Sequence, residues 1–167
     1  ASVPYHRLCA ELFFIPALCL EQAGYSIPNA YRARVIGMAD FVQHYMRPDL
    51  TSPLLGDADD ARTLPLGCQG LSNHHYIADL IQIFWGGIGS YHESSASELV
   101  WWLPNINKYH AIEAKYARKS KFFRDAQGGY AVLQNKDTNV FMDAAPVGLA
   151  GRGGHGHNDC LHVDVFM

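Results

Sequence analysis

Three observations make the chain an α+β protein with its helices first and its strands last. Up to about residue 103, apolar residues recur at helical spacing in segments separated by proline and glycine. From residue 121 onward they alternate with polar residues in short runs broken by Gly, Asn and Asp, which is the period of strands. The last two of those runs are separated by Gly148-Leu-Ala-Gly-Arg-Gly-Gly-His-Gly-His-Asn-Asp159, a loop that holds five of the chain's fifteen glycines. Helices followed in blocks by strands mean one α+β unit or separate α and β domains.

The first helix begins near Pro4, a residue suited to a first helical turn, and runs to about Gln22, with Gly24 as its stop. Leu8, Leu12, Ile15 and Cys19 recur at i, i+4, i+7 and i+11, so they are the expected buried stripe. Cys9 and Cys19 are expected to pack as small apolar groups. Pro16 should bend the helix, and Arg7 and Glu11 are spaced to pair at i, i+4. Asn29, after Pro28, is the expected cap of a second helix in which Tyr31, Val35, Met38, Val42, Tyr45 and Met46 keep period until Pro48. The short connection predicts that these two helices are antiparallel.

Residues 49–71 read as loop. The Asp57-Ala-Asp-Asp60 run lacks the spacing of a calcium loop and is expected to be a capped surface turn. Asn73 can cap a third helix carrying Tyr76, Ile77, Leu80, Ile81 and Phe84 on one side and ending at Gly86-Gly87. His74 and His75 fall in its first turn, where a positive charge is disfavoured, and they are expected at the surface. Ser95-x-x-Glu98 is a capping box ahead of Leu99-Val-Trp-Trp-Leu103, which reads as core rather than as a sugar-stacking platform. Residues 105–117 are a transition. Strands are then expected at Lys121-Phe-Phe-Arg124, at Gly129-Tyr-Ala-Val-Leu-Gln134 and at Thr138-Asn-Val-Phe-Met-Asp143, the last two joined through Asn135-Lys-Asp137. A final strand sets Leu161, Val163 and Val165 against His162 and Asp164.

Composition narrows the partners. A net charge of −3 argues against a nucleic-acid binder, and 49% apolar with 17% charged residues describes a globular chain. Lys115, Arg118, Lys119, Lys121 and Arg124 cluster just before the strands, either as a solvated face or as a contact for an acidic polysaccharide. Cys9, Cys19, Cys68 and Cys160 show no C-x-x-C spacing and leave the redox compartment open. No stretch reaches the roughly 18 consecutive apolar residues of a membrane span. The chain opens inside a helix and stops inside a strand, which reads as an internal piece of a longer protein.

The glycine-rich loop carries the chemistry. It places His155, His157, Asn158 and Asp159 within five residues, groups able to donate, accept, titrate or bind metal. It has neither the lysine nor the hydroxyl of a phosphate loop, and it does not reproduce the H-E-x-x-H helix of zinc proteases. On its own it describes an imidazole site on a β scaffold.

Together with Tyr5-His-Arg-Leu-Cys-Ala-Glu11, the stretch from Asp143 to Asp159 resembles the heparinase II/III-type polysaccharide lyases, among them alginate-lyase-like members, and Gly56-Asp-Ala-Asp-Asp-Ala-Arg62 resembles a stretch of some members. The resemblance implies the last helices of an (α/α) toroid over residues 1–117 and the first strands of an incomplete antiparallel β-sandwich over 118–167. It also implies β-elimination on a uronic-acid-containing polysaccharide, in a periplasmic or secreted enzyme. Tyr5 matches the family's catalytic tyrosine, His155 the histidine that faces it, and His157 a metal ligand. His6, Arg7, Glu11, Arg152 and Asn158 then fall among the substrate-binding residues. The metal would be divalent, zinc or calcium, with its other ligands beyond Met167, and the residues that neutralise the uronate carboxylate would precede Ala1. The piece alone is therefore expected to be inactive. A tyrosine that acts as base needs positive charge nearby, which His6, Arg7 or Arg152 would supply. Two other classes compete: a non-catalytic carbohydrate-binding module built on Trp101, Trp102 and the basic cluster, and a metal-dependent hydrolase built on His155, His157 and Asp159.

Overall fold

The computed structural model describes residues 2–59, 61–63, 70–86, 121–125, 128–147, 151–154 and 161–167. Among these residues three helices precede four strands: α1 (Val3–Gln22), α2 (Asn29–Tyr45) and α3 (His75–Trp85), then β1 (Lys121–Asp125), β2 (Tyr130–Gln134), β3 (Asn139–Asp143) and β4 (His162–Phe166). The α+β expectation holds. The expected helix at 95–103 and the boundary at 117/118 lie outside the described residues.

Ser2 caps α1 by accepting from the Tyr5 N–H at 3.2 Å, with Pro4 in the first turn as expected. At the other end the Gly24 N–H reaches Glu21 O and the Tyr25 N–H reaches Leu20 O, both at 3.0 Å. Gly24 has φ +90°, so glycine closes this paired C-terminal motif without a Cβ penalty. The buried face, however, is not the expected stripe. It consists of Val3, Arg7, Ala10, Glu11, Phe14, Ala17 and Leu18, while Leu12, Phe13 and Leu20 are about half exposed and Cys9 and Cys19 are exposed. Arg7 and Glu11 do pair, at 3.2 Å and with 1% of each side chain exposed, and two charges that satisfy each other no longer mark a solvent face. An 18-residue window of α1 has a mean hydropathy of 1.2, enough to cross a membrane by length and composition, but 44% of it is buried against the rest of the protein.

Asn29 begins α2 rather than capping it, because Pro28 occupies the cap position and no side-chain cap bond forms. Contacts between α1 and α2 run in opposite order: Glu21 pairs with Arg32, Tyr31 Oη donates to Phe13 O at 2.7 Å, and His6 Nε2 donates to Met38 O at 3.0 Å. The two helices are therefore antiparallel. Val35, Ala39, Val42 and Tyr45 form the buried face of α2.

Every residue of α3 from His75 to Ile81 is buried, so this helix is central, and the surface expectation for His74 and His75 is overturned. Burial is tolerated at His74 because both ring nitrogens are used. Leu71 O can only accept, at 3.2 Å, so Nε2 carries the proton and Nδ1 accepts from Tyr45 Oη at 3.0 Å. Burial, reinforced by the Arg7 charge, lowers the His74 pKa to about 3 and keeps the ring neutral. Asn73 does help to start the helix, its Oδ1 accepting the His75 N–H at 3.1 Å.

The strands form an antiparallel sheet in the order β1-β2-β3-β4. Asn135 Oδ1 accepts the N–H groups of Asp137 and Thr138 and fixes the β2–β3 turn where it was expected. One face meets the helices. Tyr130, Val132 and Phe141 enter the common core, the Tyr130 ring lying tilted against Phe41 at 5.6 Å and against Phe141 at 5.4 Å between centroids. Gln134 and Asn139 both donate to Met46 O, at 2.8 and 3.3 Å, and Arg47 grips Asp164 through two nitrogens at 3.2 and 2.6 Å. The alternation expected in β4 is present with its faces reversed, His162 and Asp164 facing in and Val163 and Val165 about half exposed. Val163 and Val165 join Leu133 and Met142 on an outer face that is apolar across three strands.

Candidate active site

Tyr5, His6 and Arg7 are consecutive on a helix, so successive side chains leave it about 100° apart and point at three different neighbours. His6 turns to α2: Nε2 donates to Met38 O, and the ring stands edge-on to Phe41 at 4.9 Å between centroids. Burial lowers its pKa, so it is neutral at pH 7. Arg7 turns inward, donating to Glu11 Oε1 at 3.2 Å, Tyr76 Oη at 3.1 Å and Ala61 O at 2.7 Å. Glu11 also accepts from Tyr76 Oη and from the Thr63 N–H. As placed here, the Arg7 and Glu11 head groups are committed to the protein interior and not to a substrate cleft. Of the three consecutive residues, Tyr5 alone keeps its polar end at the surface.

What Tyr5 meets is a strap. Residues 55–63 run along α1 in the direction of the helix and touch it at every second position described. Val3 N–H donates to Leu55 O at 3.0 Å, Ser2 Oγ to Asp57 O at 2.6 Å, Tyr5 Oη to Asp59 Oδ2 at 2.9 Å and Arg7 to Ala61 O, and the Thr63 N–H donates to Glu11. The Ala61 N–H donates to Asp59 Oδ1 at 3.0 Å and fixes the carboxylate from the other side. The phenol pKa is raised by the hydrogen bond to Asp59 and, behind it, by partial desolvation and the charges of Asp59 and Asp57. Neither His6, which is neutral, nor Arg7, which faces Glu11, supplies the positive charge expected beside Tyr5, and the groups that bear on its phenol are the carboxylates of Asp59 and Asp57. Asp59 lies in the run expected to be a capped surface turn, which is instead an extended segment tied to α1. Its signal was present in the alternation of Asp57, Asp59 and Ala61, an extended segment with one face turned to a single helix.

The glycine/histidine loop connects β3 to β4. It leaves the sheet at Asp143 and returns at His162, which are register partners, and Tyr130 completes that row on β2. Tyr130 packs on Phe41, and Phe41 packs on His6. Tyr130, one strand away from the loop's base, therefore lies two ring contacts from His6. At its described positions the loop uses its glycines as expected, with φ +86° at Gly151 and +74° at Gly153, and Arg152 between them is exposed. His155, His157, Asn158 and Asp159 lie outside the described residues, as do Trp101 and Trp102 and part of the basic cluster. No group of three His, Cys, Asp or Glu able to hold a metal occurs among the described residues.

The family described as Heparinase II/III-like, C-terminal, matches residues 117–167, a span that contains all four strands and the loop between β3 and β4. No curated protein and no solved structure matches the chain. The resemblance read from the glycine/histidine loop is met where the loop stands: residues 117–167 of this chain match the heparinase II/III-like, C-terminal family.

Proposed function

We propose that the chain forms part of a polysaccharide lyase that cleaves a uronic-acid-containing polymer by β-elimination between the first turn of α1 and the β3–β4 loop. The observation that supports this reading is the run of ring contacts from His6 through Phe41 to Tyr130, the register partner of Asp143 where the loop leaves the sheet. Elimination needs a base for the C5 proton and an acid for the C4 oxygen. A phenol held beside Asp59 and Asp57 is kept protonated, so Tyr5 takes the acid role. His155 is then the base. The C5–H bond breaks toward the imidazole, its electrons form the C4–C5 double bond, and the C4–O bond breaks as oxygen takes the Tyr5 proton. Net proton return from imidazolium to phenolate through solvent restores both groups. Arg152, exposed at the loop's entry, is the cation assigned to the uronate carboxylate, with Asn158 beside it.

His157 is assigned to a divalent metal, zinc or calcium, whose chemistry here is to fix the loop. The outward apolar face of the sheet is consistent with a second sheet packing over it, as in a sandwich. The test is absorbance of the unsaturated product on a panel of uronate polymers with the full-length protein. Tyr5→Phe and His155→Ala should each lower turnover about 10²–10⁴-fold. Full activity in either variant sinks the assignment, and unchanged zinc and calcium content in His157→Ala removes the ligand role.

A further inference from the structure

Asp59 is not an incidental neighbour of Tyr5. Its two flanking positions are tied to α1 through main-chain oxygens, Asp57 O by Ser2 Oγ and Ala61 O by Arg7. Its own two carboxylate oxygens are divided between the Ala61 N–H, at 3.0 Å, and the Tyr5 hydroxyl, at 2.9 Å. Ser2, which anchors the strap, is also the cap that accepts the Tyr5 N–H, so a single residue sets both the backbone of Tyr5 and the strand of chain that meets its phenol.

We propose that Asp59 is a positioning residue for Tyr5, held by the strap so that the phenol is fixed in one orientation and carries its proton until a substrate oxygen replaces the carboxylate as acceptor. This rests on the reading of Tyr5 as the acid of the elimination. When the leaving C4 oxygen arrives, the phenol O–H swings from Asp59 Oδ2 to that oxygen and transfers its proton there as the C4–O bond breaks. The phenolate left behind faces Asp59 and Asp57 on the strap, while on its own helix Arg7 is bonded to Glu11 and His6 is neutral. The two carboxylates disfavour its negative charge, so it is reprotonated before the next cycle.

The test uses the full-length protein and two variants. Asp59→Asn removes the charge and keeps one oxygen, which accepts the Ala61 N–H and leaves the amide N–H to face the phenol oxygen, and Asp59→Ala removes both groups. Tyr5 is titrated by NMR of ¹³C-labelled tyrosine, its resonance assigned with Tyr5→Phe, and the pH profile of kcat is recorded on a uronate polymer. Expected are a downward shift of the Tyr5 titration in both variants, a matching shift of the alkaline limb of kcat, and a loss of kcat of about tenfold to a hundredfold in Asp59→Ala. The asparagine variant should keep more of kcat, with KM changed less than about twofold. A Tyr5 titration that stays in place or moves up in a folded Asp59→Asn protein overturns the proposal. If the wild-type protein eliminates nothing while the Tyr5 titration moves as stated, the lyase reading fails and the Asp59–Tyr5 coupling stands.

Discussion

Replacing Glu11 with alanine separates a structural role from a substrate-binding one. Both members of the Arg7–Glu11 pair are 1% exposed, so the variant leaves a guanidinium in the interior with Tyr76 Oη and Ala61 O as its remaining partners among the described residues. Removing one member of a buried ion pair costs about 3–5 kcal/mol, and the orphaned Thr63 N–H adds about 1 kcal/mol or more. That is a large share of the roughly 5–15 kcal/mol that holds a domain together. At about 2–4 °C per kcal/mol for a chain of this size, the melting temperature should fall by roughly 10–20 °C. Urea and thermal denaturation followed by far-ultraviolet circular dichroism give the number. The double variant Arg7→Met, Glu11→Leu should recover most of the loss, since an apolar pair of similar volume carries no desolvation penalty. A Glu11→Ala protein within about 1 kcal/mol of wild type, or a double variant no better than the single, refutes the buried-pair account. A raised KM with an unchanged urea midpoint would instead return Glu11 to the substrate.

Acid should weaken the fold through His74. Its folded pKa is about 3 against 6.5 for a free imidazole, so between those values the unfolded state binds the proton and the folded state does not. Stability is therefore full above about pH 6.5 and falls as pH drops toward 3, by at most about 5 kcal/mol. His6, also lowered by burial, acts in the same direction. Urea midpoints between pH 7 and 4.5 should fall more steeply in wild type than in His74→Asn, and equal slopes would show that His74 is not the titrating group. At the junction of helices and sheet, a double-mutant cycle on Arg47→Ala and Asp164→Asn should return a coupling of about 1 kcal/mol, since the geometry is bidentate and the side chains only 20% exposed. A coupling near zero would leave the junction to Met46 O and the Phe41–Tyr130–Phe141 rings.

The elements were legible because each has a local cause: Pro4 and Gly24 bound α1, Gly86 ends α3, and Asn135 makes the β2–β3 turn. Their faces were not. α1 is apolar on both sides, and the choice between Leu8, Leu12, Ile15 and the buried Ala10, Phe14, Leu18 depends on whether Arg7 and Glu11 are wet or dry. They are dry because Tyr76, Ala61 and Thr63 close around them, residues more than fifty positions away that no window of helical period contains. The same cause hides His74, whose partner Tyr45 is on α2, and reverses β4, whose Asp164 is drawn inward by Arg47.

For the site the lesson is geometric. The sequence presents Tyr5-His-Arg as one cluster, and its glycine/histidine loop is specific enough to be recognised by itself. A helix separates three consecutive residues by about 100° each, so such a cluster is dispersed by the element that carries it. The group that assembles around Tyr5 comes instead from an extended strap, where alternate residues share a face and Asp57, Asp59 and Ala61 meet α1 at successive levels. If Tyr5 is the acid of the elimination, as proposed, a phenol next to two carboxylates cannot also serve as the resting base, and the proposal therefore assigns the C5 proton to the loop's histidine, His155.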